Sequence, residues 1–137
     1  MKRNLMFTAA CTWLLVSPAF AHHSFSMFDR EKLATVTGVV KDYEWANPHV
    51  WIHLMVMDQN GTPREWGFEM QSIAQDTRAG WRPDSLKAGD KISIDYHPLK
   101  DGTRGGQLTS AILADGKRLG PPPPDGFLSV TPGDGGI

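Results

Sequence analysis

Five histidines are the residues of this 137-residue sequence best suited to chemistry. Imidazole nitrogens bind borderline metals such as Cu(II) and Zn(II). No Ser/His/Asp order, phosphate-binding loop or dinucleotide fingerprint accompanies them, so catalysis is not predicted. The histidines therefore favour metal binding. They are His22, His23, His49, His53 and His97.

The first two histidines follow a segment with the three parts of a secretory signal. Lys2 and Arg3 are basic, residues 5–16 are mostly apolar, and Ala19-Phe20-Ala21 matches an A-x-A cleavage site. The apolar run is shorter than the ~20 residues of a membrane-spanning helix, which disfavours an anchor. We predict a cleaved signal peptide over residues 1–21 and a periplasmic or secreted bacterial protein without membrane insertion after cleavage.

Cleavage after Ala21 would make His22 the first residue, with a free amine and an imidazole on one residue. That pair chelates Cu(II), and His23 is an alternate ligand. The only cysteine, Cys11, lies within the signal, so the mature chain has no thiolate ligand. Copper is the predicted metal and zinc the second choice. The alternative is a flexible N-terminus whose histidines are incidental.

His49 and His97 are the predicted partners of this N-terminal site. His49 follows Asn47-Pro48 where the chain enters a strand, and His97 ends a strand at the rim of a barrel. His53 lies four residues after His49, about 13 Å along a strand, so the two cannot share an ion unless the strand bulges. The alternative for His49 is a turn histidine that merely hydrogen bonds to backbone, and the alternative for His97 is a solvent-facing imidazole.

A second group of residues could bind a soft metal. Alternation along one predicted strand places the four residues of this group on the face opposite the apolar residues. OB-fold copper and silver chaperones of bacterial periplasmic efflux systems use a comparable set, although methionine on a strand more often simply packs. The four are Trp51, His53, Met55 and Met57.

The order of elements predicts an all-β fold, a five-stranded OB-fold-like barrel with one short helix between strands three and four. A small β-sandwich or open barrel is the alternative. Ser72 is the expected start of the helix and Gly80 its end. A polar, glycine-rich loop is predicted over Lys100 to Gly106. The strands are expected from Leu33 toward Trp45, and over His49–Met57, Pro63–Gln71, Lys91–His97 and Gln107–Ala114, with an extension at Lys117–Leu119.

Composition is that of an ordinary globular domain, with 40% hydrophobic and 21% charged residues. Loss of two basic residues with the signal leaves 12 basic and 15 acidic residues, a formal charge of −3. No basic stripe is present, which argues against nucleic acid as a partner. We predict an N-terminal arm over 22–32, the barrel domain over 33–119 and a disordered Pro/Gly-rich tail over 120–137.

Several motifs together are similar to a known family. The sequence resembles a domain-of-unknown-function family of small exported bacterial proteins with an HHSF start and a W-x-N-P-H motif. The resemblance implies export and one compact β-domain, but it does not imply a particular activity. Its motifs include four of the histidines and not His53. The matching segments are His22-His23-Ser24-Phe25, Phe28-Asp29, Trp45-Ala46-Asn47-Pro48-His49, Gly80-Trp81, Leu86-Lys87-Ala88-Gly89-Asp90 and His97-Pro98-Leu99-Lys100-Asp101-Gly102.

The leading hypothesis is a non-enzymatic periplasmic carrier or buffering protein for a metal ion, most simply copper. Its site comprises His22, His49 and His97, with His23 as alternate, and a periplasmic protein is a possible partner. The second hypothesis is a non-catalytic OB-fold module that binds a small molecule, glycan or protein through Trp45, Trp51 and Trp66. The third is a copper redox enzyme that depends on His22.

Overall fold

The computed structural model of the protein describes residues 26–125. The predicted signal peptide, His22, His23 and the end of the tail from residue 126 onward lie outside the described residues. The elements are β1 (Ala34–Glu44), β2 (Trp51–Met57), β3 (Pro63–Glu69), α1 (Ile73–Arg78), β4 (Lys91–Pro98), β5 (Gly105–Ile112) and β6 (Arg118–Leu119).

The first five strands close into a barrel. Strands β3, β2, β1, β4 and β5 are neighbours in that order, and a parallel pairing of β3 with β5 closes the ring. Strand β1 pairs with β2 through its C-terminal half and with β4 through its N-terminal half, so it bends around the barrel. Helix α1 follows β3. The predicted all-β barrel with OB-like element order is confirmed.

Alternation along the strands separates an apolar interior from an outer face. In β2, Ile52 and Leu54 are fully buried, while Trp51, His53 and Met55 are half-buried on the other side. Burial of such aliphatic side chains stabilises the fold by roughly 2 kcal/mol each. The predicted orientation of this strand is confirmed. The interior also contains Val36, Val40, Phe68, Met70, Trp81, Ile92, Ile94 and Tyr96.

The closing strand begins two residues earlier than the sequence indicated. Gly105 and Gly106 were expected in a loop, but they are the first residues of β5, opposite Gly67 and Phe68. A Cβ on Gly105 would lie 1.9 Å from the carbonyl oxygen of Gly67, which no side chain could accommodate. The loop prediction was wrong here because these glycines permit close approach of two backbones rather than a turn.

Helix α1 begins at the predicted cap. Ser72 Oγ accepts the backbone N–H of Gln75, and the Gln75 side chain accepts the backbone N–H of Ser72, which completes a capping box. Gly80 follows the helix with φ +96°, a conformation that favours glycine. The buried residue of this helix is an acid, Asp76, rather than an apolar side chain.

Candidate metal centre

The arm that precedes β1 is docked on the barrel beside the end of β4. Phe28 forms a β-bridge with Leu99, and its side chain is buried. The Asp29 N–H donates to the Pro98 carbonyl at 2.8 Å, and the Lys100 N–H donates to the Met27 carbonyl at 2.9 Å. The chain is therefore fixed to the barrel only a few residues after His22 and His23, which themselves lie outside the described residues.

His97 is oriented by that same arm. Its Nδ1 lies 2.6 Å from the carbonyl oxygen of Lys32. A carbonyl can only accept, so the proton of the neutral ring is on Nδ1 and the lone pair is on Nε2. Metal-binding histidines have this arrangement, in which a backbone acceptor fixes one nitrogen and the other binds the ion.

His49 has the same arrangement just before β2. Its Nδ1 is 3.1 Å from the Met70 carbonyl oxygen and 3.1 Å from Glu69 Oε1. Both partners accept, so Nδ1 again carries the proton and Nε2 retains its lone pair. The peptide bond between Asn47 and Pro48 is cis, and Asn47 Oδ1 accepts the N–H of Ile73, the first residue of α1. The W-x-N-P-H turn thus joins His49 to the helix.

The two oriented histidines lie on one outer face of the barrel without touching. His97 is paired with Gln107 on β5, and Gln107 is paired with Glu69 on β3. His49 therefore contacts a residue two strand spacings from His97, roughly 10 Å across the sheet. The arm crosses this row, since Arg30 donates to Gln107 Oε1 at 3.2 Å.

His53 belongs to a different part of the surface. Its Nε2 is 3.3 Å from Glu44 Oε1, and its Nδ1 is 3.4 Å from Glu65 Oε1. Its ring stacks on Trp51 with 6.2 Å between centroids. These partners differ from those of His49, which contacts Glu69 and Met70. Of the two methionines on this face, Met57 is exposed and Met55 half-buried.

Two buried carboxylates lie close to His49. Glu69 is 8% exposed and Asp76 is 5% exposed. Burial raises the pKa of Glu69, and it raises the pKa of Asp76 to about 6, whereas protonation of His49 would lower both pKa values. The backbone N–H of Gln71 donates to the Asp76 carboxyl, but Asp76 Oδ2 has no hydrogen-bond partner within the described part of the chain.

A third buried carboxylate is fully paired. Asp95 accepts hydrogen bonds of 2.7 Å from Thr35, Ser110 and Arg118. Burial alone would raise the pKa of Asp95, but these donors outweigh burial and hold the pKa below its ordinary value. This cluster ties β6 to the barrel and has no unpaired group for a ligand.

Sequence reasoning selected His49 and His97 and did not indicate that Asp76 is buried beside the barrel. An acid in the first turn of a helix is ordinarily a charge favourable to the helix dipole, so its type and position gave no signal. Glu69 belongs to none of the motifs that the sequence analysis singled out. The contact between Glu69 and His49 depends on the turn at Asn47-Pro48. The sequence indicates that turn but not its conformation.

Across residues 26–125, no three His, Cys, Asp or Glu side chains converge closely enough to hold a metal ion. The same part of the chain contains no helix long and apolar enough to cross a membrane.

The chain belongs to the family of unknown function DUF6152, whose family model matches residues 12–109. The predicted membership of a domain-of-unknown-function family is thereby confirmed. Comparison with curated proteins and with solved structures gave no significant match.

Proposed function

We propose that the protein is a periplasmic copper-binding carrier or buffering protein whose site is completed by signal-peptide cleavage. His22 contributes its amine and imidazole, and His97 and His49 contribute Nε2, with His23 as alternate ligand. The observation that carries the proposal is the pair of Nδ1 contacts, His97 to the Lys32 carbonyl and His49 to Glu69 and Met70, which leave two Nε2 atoms as acceptors on one face.

The docked arm supports the same proposal. Hydrogen bonds at Met27 and Asp29 hold the chain against β4 and its following residues. His22 is five residues before Met27, and an extended segment of that length spans at most about 17 Å. After cleavage at Ala21, a segment of that length would be long enough for the N-terminal amine to reach His97, and a nitrogen site there would prefer copper over zinc by the Irving–Williams order.

A binding module for a small molecule, glycan or protein is the second candidate function. Trp51 favours it, because this ring stacks on His53 at the outer surface rather than in the interior. The other two tryptophans of that hypothesis pack against the core, Trp66 on Phe68 and Trp45 on Tyr43. One half-buried aromatic ring on the outer face gives this function less support than two oriented imidazoles give to metal binding.

The test is Cu(II) titration of mature protein that begins at His22, compared with protein that carries one additional residue before it. Blocking the amine should weaken binding by at least about tenfold, since one donor of the chelate is lost. His97→Gln and His49→Gln should each weaken it, whereas His53→Gln is the matched control and should not. Equal affinity in the two N-terminal forms would contradict amine chelation.

A further inference from the structure

The outer side of strand β2 presents a row of apolar and aromatic side chains to solvent, and we call this surface the β2 face. Trp51, His53, Met55 and Met57 alternate along it, and the register places Val39 of β1 directly opposite Met55. Met57 is 68% exposed and Val39 is 41% exposed, so two of the four exposed large apolar side chains in the described part of the chain lie here. Exposed apolar side chains that are neighbours mark a contact surface more often than apolar side chains that are scattered singly.

The aromatic end of the β2 face is held in place by its neighbours. The ring of His53 stacks on that of Trp51 with 18° between the ring planes. A Cβ added at Gly67 of β3 would lie 3.7 Å from the Trp51 ring and 3.9 Å from the His53 ring, so both rings cover this glycine. Rings that are already fixed lose little conformational entropy when a partner binds.

Acidic side chains surround the β2 face. Glu44 of β1 and Glu65 of β3 contact the two ring nitrogens of His53. Asp42 lies opposite His53 in the register of β1 and β2, and all three acids are exposed. Lys41 forms a salt bridge with Glu65. Three carboxylates and one ammonium group leave an excess of negative charge beside the apolar row.

The area and the charge of the β2 face argue against a second copy of the chain as its partner. Three strands are about 10 Å across and the seven residues of β2 span about 20 Å, so the flat area is roughly 200 Å². A standard interface buries about 800 Å² of each partner. A two-fold interface would also bring the same acidic side chains of two copies together.

We propose that the β2 face binds a short segment of a partner protein in which lysine or arginine side chains accompany apolar ones. The apolar side chains of the segment contact Met57 and Trp51, and its basic side chains approach Glu44 and Asp42, because opposite charges at the rim favour encounter. The small area makes the contact transient. This inference goes beyond the proposed function and does not rest on it, since none of the residues that carry it is a proposed copper ligand.

The test uses metal-free mature protein labelled with nitrogen-15 and a short peptide of alternating lysine and valine. Backbone amide resonances of β1, β2 and β3 and the indole resonance of Trp51 should shift as this peptide is added. A peptide of alternating glutamate and valine and a peptide of alternating lysine and glycine should each bind at least about fivefold more weakly, since the first lacks the charge and the second the apolar contacts.

Two pairs of variants locate the contact. Met57→Lys places a positive charge in the apolar row and should weaken binding of the lysine–valine peptide by at least about fivefold. Ile112→Lys adds the same charge at an exposed apolar residue of β5 and is its matched control. Glu44→Gln should weaken binding about twofold, as expected for one exposed charge pair, whereas Glu31→Gln in the arm before β1 should not. All four positions are exposed, so the variants should fold.

Three results would overturn the inference. Equal binding of the lysine–valine and lysine–glycine peptides would reduce the interaction to charge attraction alone. Equal effects of Met57→Lys and Ile112→Lys, or shifts confined to residues outside β1, β2 and β3, would place the contact elsewhere. If the resonances of the β2 face move when the concentration of the protein alone is raised, a second copy occupies the face and the proposed partner is wrong.

Discussion

Asp95 and Asp76 are equally buried, each 5% exposed, but the surroundings of their carboxyl groups differ. Asp95 accepts three side-chain hydrogen bonds, one of them from a guanidinium group. Asp76 has one backbone donor and an oxygen without a partner in the described structure. The first has the complete pairing expected of a structural carboxylate. The second is incompletely paired within the described residues, so its burial is not offset by donors to both oxygens.

The largest expected effect is at the paired aspartate. Asp95→Asn removes the charge that holds Arg118 and places an amide N–H₂ against donors. We expect the free energy of unfolding to fall by about 2–3 kcal/mol, measured by urea denaturation at pH 7. An unchanged free energy would show that the cluster does not stabilise the barrel.

The unpaired aspartate should respond with the opposite sign. Asp76→Asn removes a desolvated charge while keeping the acceptor for the Gln71 N–H. In the metal-free protein at pH 7 we expect a gain of about 1 kcal/mol in the free energy of unfolding. The same urea denaturation measurement tests this prediction. A fall in the free energy of unfolding as large as that of Asp95→Asn would contradict the distinction between the two carboxylates.

The pH dependence of stability should separate the two groups as well. Burial raises the pKa of Asp76 from an ordinary 3.8 to about 6, so the folded protein holds more protons between these values. Stability from this group is complete below about pH 4 and is lost as pH rises to about 6.

For Asp95 the sign is reversed, because its pKa is lowered in the fold. Its contribution is present above about pH 4 and is lost as the pH falls through the lowered value. The measurement is the free energy of unfolding of the metal-free protein from pH 3 to 7, minus that of each Asn variant. Parallel curves for the two variants would contradict the assignment.

The smallest effect is expected on the outer face at His53. Its partners Glu44 and Glu65 are half-exposed, and such pairs contribute little in water. His53→Gln should change the free energy of unfolding by less than about 0.5 kcal/mol and leave Cu(II) affinity unchanged. A marked loss of Cu(II) affinity would show that the metal site lies on the face of Trp51 and His53 instead.

The sequence was sufficient for most of the fold. Period-two alternation in β2 and the cap at Ser72 predicted those elements close to their observed bounds, because local hydrophobic pattern and capping chemistry decide them. Closure of the barrel at Gly105 and Gly106 was missed. Closure requires the backbones of two strands that are distant in sequence to approach closely. In the sequence, a pair of glycines that permits this approach cannot be distinguished from a pair that forms a turn.

The site was predictable only in part. His49 and His97 stood out by type and by their place beside prolines. Nothing local marked Asp76, since its burial results from packing of α1 against the barrel, and nothing marked the Lys32 carbonyl as the partner of His97. The predicted bounds of the signal peptide, the barrel domain and the tail stay predictions.

The central claim is that the barrel supplies ligands to copper bound at His22. The most direct measurement is the Cu(II) electron paramagnetic resonance spectrum of the mature protein, compared with that of a synthetic His-His-Ser-Phe peptide of residues 22–25. The account predicts different spectra, and a change in the protein's spectrum on His97→Gln or His49→Gln but not on His53→Gln. Identical spectra for protein and peptide would show that the fold contributes no ligand.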